Sequence, residues 1–111
     1  RAVVTFALHS DFTMAPALPL NSAWVAVNRI AESGAVLCAE ECVSLDAAMR
    51  AITIDAAYVL AMENEIGSIR AGKKADFTIL EQDPWDVPLE KLRDIPIWGT
   101  VFEGTPFPHS K

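Results

Sequence analysis

Cysteine, histidine and positive charge are all scarce in this 111-residue chain. Two cysteines do not make a disulfide framework, so a reducing compartment, the cytoplasm, is the expectation. The two histidines, His9 and His109, lie near opposite ends and form no ligand pair. Lys and Arg total 9 against 15 Asp and Glu, giving a net charge of −6. No segment forms a basic face, so a nucleic-acid partner is not expected. No apolar run approaches the roughly 20 residues of a membrane-spanning helix, which argues against a membrane partner. Arg1 to Leu8 is too short for a signal peptide and lacks a cleavage pattern. What the chain does have is apolar mass, 51% hydrophobic against 22% charged residues. That balance excludes intrinsic disorder. The length fits one domain by the usual prior of roughly 100–200 residues, large enough to bury a core.

Ala2 to Leu8 is a continuous apolar run rich in β-branched residues. Its poor alternation predicts a strand buried on both faces, as in a parallel sheet. The run stops at His9-Ser10-Asp11, and Phe12 to Leu20, with Pro16 and Pro19, reads as a loop. A helix fits Leu20 to Ser33, with Leu20, Trp24, Val27 and Ala31 on one face and Gly34 as its stop. Ser44 is a good N-cap for a second helix whose buried stripe is Leu45, Ala48, Met49 and Ile52. Asp55 is expected to cap a third helix through Met62. Beyond residue 63 the texture turns to short strands, expected at Glu65–Ile69, Asp76–Leu80 and Ile95–Glu103. A helical turn fits Leu89–Arg93, and Gly104 opens a Pro-rich tail. The fully apolar first strand needs partners on both edges, and no other parallel-type strand precedes residue 65.

Gly67 to Lys74 matches a phosphate-loop pattern until its last position, where Lys74 supplies no hydroxyl for Mg²⁺. A β-like segment follows it in place of a helix, so it reads as a turn. Cys38 and Cys42 would share a helix face, but a zinc site normally needs four ligands, so they read as packed edge residues. Trp24, Trp85 and Trp98 read as core or rim aromatics, and His109 as solvated. Asp11 stands just past the buried strand, where chemistry gathers in sheets and barrels. A carboxylate there can hold a metal or move a proton. The bland reading is that Asp11 caps a turn and His9 is a rim residue.

Glu65 to Leu80, containing Gly67-Ser68-Ile69-Arg70-Ala71-Gly72-Lys73-Lys74-Ala75-Asp76, closely resembles a signature of metal-dependent amidohydrolases. In that superfamily a similar stretch lies in a small β-sandwich beside a barrel. Ala51 to Ala57 is similar to the family's T-x-N-x-A helix start, with Asp55 where Asn is usual. The run ending in His9-Ser10-Asp11 resembles the end of the eighth barrel strand. The pattern covers about residues 3–104 and looks most like the branch that includes N-substituted formamide deformylases.

The resemblance implies an α/β fold. Residues 1–62 would hold the last strand and closing helices of a (β/α)8 barrel, and residues 63–111 part of the β-sandwich. It implies a metal-dependent enzyme hydrolysing C–N bonds of small amide-type substrates, with a divalent ion, most readily zinc. Asp11 would be both a metal contact and the proton shuttle, with His9 behind it. The family's H-x-H pair is absent, and a whole barrel takes about 250 residues. The chain is therefore expected to be a C-terminal segment, inactive alone. The rival reading is a small non-enzymatic α/β interaction module with an acidic surface. The unpaired edges of the first strand also predict a homo-oligomer. Light scattering should return more than the mass of one chain, and a single-chain mass would count against this.

Overall fold

Helix α1, Pro19–Asn28, begins with a proline in its first turn, where the missing N–H is not needed. Leu20, Ala23, Trp24 and Val27 recur at helical spacing and form its buried face. The structure, a computed structural model, describes residues 4–110. α1 ends at Asn28, earlier than the expected Ser33, because Arg29 turns left-handed (φ 52°) and its N–H bonds the Val25 carbonyl. Ile30 then bridges Val36 antiparallel, and Gly34 sits at φ 87° in the tight reversal between them.

Ser44 caps α2, Leu45–Ala51, as the sequence predicts: its Oγ accepts the Ala47 N–H at 3.1 Å. Helix α3, Ile54–Val59, starts one residue before Asp55, with Thr53 at the cap position. Asp55 instead takes the Arg50 guanidinium at 2.9 Å.

The expected strand Ala2–Leu8 is not found. Ala2 and Val3 lie outside the described residues, and residues 4–10 have no ladder partner. The segment crosses α2, and the Leu8 N–H donates to the Ala51 carbonyl at 3.2 Å. The described strands all lie beyond residue 76, which leaves this run extended but unpaired. Glu65–Ile69 is a turn rather than a strand. Lys74 N–H bonds the Glu65 carbonyl at 2.8 Å, and Lys73 Nζ reaches Ser68 Oγ at 2.8 Å. Gly67 (φ 91°) presses on α3, where a Cβ would lie 2.7 Å from that of Ala57.

Three antiparallel strands form one sheet in the order β1 (Phe77–Leu80), β2 (Ile97–Phe102), β3 (Thr105–Pro108). Phe77 pairs with Val101, and Phe102 with Thr105 across a two-residue turn. Both turn residues, Glu103 and Gly104, have positive φ, as the tightest hairpins require. The Pro-rich tail thus becomes a strand. Pro106 and Pro108 are tolerated because β3 is an edge strand, where the absent N–H groups cost no ladder bond. Gly99 lets β3 approach, since a Cβ there would collide with the Phe107 carbonyl oxygen.

The helical turn expected near Leu89–Arg93 is a 3-10 helix, Leu89–Asp94. It packs along α1. Leu92 and Ile95 join Leu20, Ala23, Trp24, Val27 and Ala48 in one core, so the core draws on both sides of residue 63. Trp24 is in that core, while Trp85 and Trp98 are exposed. Helix and strand are mixed, as expected of an α/β protein, yet the surface is large. The chain exposes 7961 Å², where about 6000 Å² is usual for a folded 12.1 kDa monomer. Its radius of gyration, 14.7 Å, likewise exceeds the roughly 13 Å of a compact chain this long.

Trp24→Ala should lower unfolding free energy by about 3–5 kcal/mol in urea melts, as for other buried aromatics. A loss below about 1 kcal/mol would mean that the core is not built around this ring. Gly99→Ala should detach β3 while sparing α1, seen as lost amide protection at Phe107 and His109 with Trp24 fluorescence unchanged.

Candidate functional site

Asp11 ends the extended segment that runs over α2. It has φ 50°, a left-handed conformation that Asp tolerates better than most residues. Its carbonyl accepts the Met14 N–H at 2.7 Å, which starts the loop leading to α1. The side chain is exposed and makes no ion pair or hydrogen bond among the described residues. A carboxylate in that state has both oxygens free of protein partners among the described residues. His9 is exposed and Ser10 half-buried.

His9 and Ser10 line a cleft of about 380 Å³ between the extended segment and α1. That volume falls within the range of small-molecule sites. Phe6 and Leu8 form one wall, Asn21 and Val25 of α1 the other, and Glu41 and Val43 close one side. Arg29 also borders the cleft, with its Nε donating to the Leu37 carbonyl at 2.7 Å. Asp11 is not part of the cleft lining, so the structure brings His9 and Ser10 to the cleft and leaves the carboxylate beyond it. Arg29 and Glu41 were not singled out from the sequence. One signal was there for Arg29: it is the only basic residue between Arg1 and Arg50.

The described residues contain no group of three or more His, Cys, Asp or Glu side chains able to hold a metal ion. Asp11 stands without a second ligand, and a metal centre needs three or more. A resident ion does not fit these residues alone. Cys38 is exposed and Cys42 half-buried, and both thiols are free. The phosphate-loop look-alike is followed by strand β1, not by a helix. Its Lys73 ammonium is held by Ser68 Oγ and the Ile66 carbonyl. No described helix is long and apolar enough to cross a membrane.

Comparison with known proteins adds three findings. The model described as the amidohydrolase family matches residues 1–107. Over 103 residues, 93% of this chain, the sequence is 36% identical to an N-substituted formamide deformylase of Arthrobacter pascens, covering 19% of that protein. Over 81 residues, 72% of the chain, it is 38% identical to the protein LONG AFTER FAR-RED 3 of Arabidopsis thaliana, covering 14% of that protein. The chain therefore spans less than a fifth of the length of either relative. No solved structure matches it.

Proposed function

The chain belongs to the amidohydrolase family, and from that premise we propose that it is the C-terminal part of a hydrolase acting on C–N bonds of small amide-type substrates. The family match over residues 1–107 carries this reading. Residues 1–62 would supply the last strand and closing helices of a barrel, and residues 63–111 part of a flanking β-sandwich. The excess surface supports this, because a segment shaped to pack against more polypeptide exposes faces that a self-sufficient domain would bury. The segment 4–10 supports it as well, being apolar, extended and without strand partners.

A divalent ion, zinc by family resemblance, would supply such an enzyme with an activated water, since metals of this kind lower the pKa of bound water to about 7. The residues present do not make up its site, and the remaining ligands would belong to polypeptide outside this chain. The role proposed for this chain is therefore a proton transfer. The Asp11 carboxylate accepts a proton from the attacking water and returns it to the leaving nitrogen, which departs as a neutral amine. Its exposure and lack of a partner leave both oxygens available for that exchange. His9, next but one to Asp11, would border the same end of the segment. The full enzyme is proposed to be a homo-oligomer.

The 111 residues alone should show no amide hydrolysis with added Zn²⁺, and robust metal-dependent turnover would overturn the segment reading. Asp11 is tested in a chimera in which this chain replaces the matching C-terminal fifth of the Arthrobacter deformylase. Asp11→Asn in an active chimera should lower kcat by about 10²–10⁴-fold, the usual range for a lost general acid–base, with KM little changed. Equal rates for the two chimeras would remove Asp11 from the chemistry.

A further inference from the structure

Three of the nine basic residues, Arg70, Lys73 and Lys74, fall within five positions of a chain whose net charge is −6. No acidic residue stands between Ile66 and Ala75. The fold draws this positive charge together. The Lys73 N–H donates to the Arg70 carbonyl at 3.1 Å, closing a tight turn with Gly72 at φ 89° in its third position. The ends of such a turn lie within about 7 Å of each other, so Arg70 and Lys73 are close neighbours. Like charges so placed repel each other unless an anion joins them.

The three cations line an open cavity of about 310 Å³, with Ile69 and Phe77 in its apolar part. None of these residues borders the cleft beside His9. Lys74 is shared with the Glu103 carboxylate at 3.4 Å. The Lys73 ammonium has three donors. It gives one to Ser68 Oγ at 2.8 Å and one to the Ile66 carbonyl at 3.3 Å. Those bonds fix its position before any ligand arrives, which lowers the ordering cost of binding. The last donor has no acceptor among the described residues. The exposed Arg70 guanidinium makes no hydrogen bond or ion pair among the described residues. Arg70 and Lys73 therefore bring two positive charges that no protein carboxylate matches.

We propose that this cavity binds a small phosphate monoester with an apolar body. A phosphate monoester carries about −1.5 to −2 at neutral pH, which matches the pair Arg70 and Lys73. A single carboxylate would leave one of the two cations unmatched. The Arg70 fork suits two phosphate oxygens, and the Lys73 ammonium acts on the group as a point charge. Ile69, 86% exposed, and the half-buried Phe77 offer the rest of the ligand an apolar surface. Recognition here is by side chains on a turn. The helix N-terminus that a phosphate loop uses is replaced by strand β1. No bond is made or broken at the site, and the proposal does not depend on the hydrolase reading.

The test is a titration of the purified 111-residue chain with phenyl phosphate, followed by amide chemical shifts. Shifts should saturate by millimolar ligand at residues 69–75 and at Phe77. Inorganic phosphate should move the same amides with lower affinity, and phenol should move none. Arg70→Ala, which removes an exposed side chain without partners, should weaken phenyl phosphate about tenfold with Trp24 fluorescence unchanged. Lys91→Ala, which removes a cation of the 3-10 helix, should leave the affinity as it is. Shifts that do not saturate, that centre elsewhere, or that weaken equally in both variants would overturn the proposal. Inorganic phosphate or phenol binding as tightly as phenyl phosphate would overturn it as well.

Discussion

The indole of Trp24 joins the two parts of the chain. It is buried on α1, and its Nε1–H donates to the Glu90 carbonyl at 2.8 Å. The Arg93 guanidinium lies 3.6 Å from its ring centroid. One side chain thus holds the 3-10 helix Leu89–Asp94 through burial, a hydrogen bond and a cation–π contact. Asn28, one turn further along α1, repeats the grip on the Leu89 carbonyl at 2.9 Å. This contact brings Leu92 and Ile95 into the core, and β2 follows Ile95 directly. The position of the sheet relative to α1 follows from it.

Little else secures the fold. The buried hydrophobics include four alanines, and Leu92 is the largest fully buried side chain among the described residues. Burial scales with area, so alanines contribute little. Much larger groups face solvent: Phe12 is 71% exposed, Met14 84% and Leu60 67%. The sheet is open on both faces at its β3 edge, since every residue of β3 is exposed although successive side chains point to opposite sides. Two sheets packed face to face would cover one such surface. Apolar area is thus divided between a small core and broad exposed faces, as the proposed role of a C-terminal segment requires.

Local chemistry was legible in the sequence, and long-range pairing was not. The Ser44 cap, the buried face of α1 and the helical turn near Leu89 follow from spacing and side-chain type within a few residues, and all three are present. The strand expected at residues 2–8 is absent over residues 4–8 for a different reason. Its apolar pattern is real, but a strand exists only where another strand offers a ladder, and sequence pattern does not supply one. Glu65–Ile69 failed because Lys73 ties the segment into a turn through Ser68, a contact across five residues that periodicity does not see. Pro106 and Pro108 hid β3, since proline argues against a strand unless its edge position is known. Of the candidate residues, Asp11 and His9 were singled out from position and family resemblance, and His9 lines the cleft while Asp11 does not. The cleft was not legible, because it forms between the extended segment and α1 and takes Arg29 and Glu41 from beyond the end of that helix.

The treatment of the aspartates separates structural acids from available ones. Asp46 accepts the Trp85 indole N–H, Asp55 holds Arg50, Asp76 accepts the Glu103 N–H and Asp83 the Trp85 N–H. Each stabilises a turn, a helix end or the sheet hairpin. Asp11 supports the fold only through its backbone, by the bond from Met14. Its side chain makes no bond among the described residues. Asp86 and Asp94 are equally free, but they lie near the 3-10 helix and not at the end of an apolar segment. Availability and position coincide only at Asp11. A carboxylate that stabilises nothing, at the end of a run that buries nothing by itself, is better explained by what it would meet in a larger assembly than by what it does within these residues.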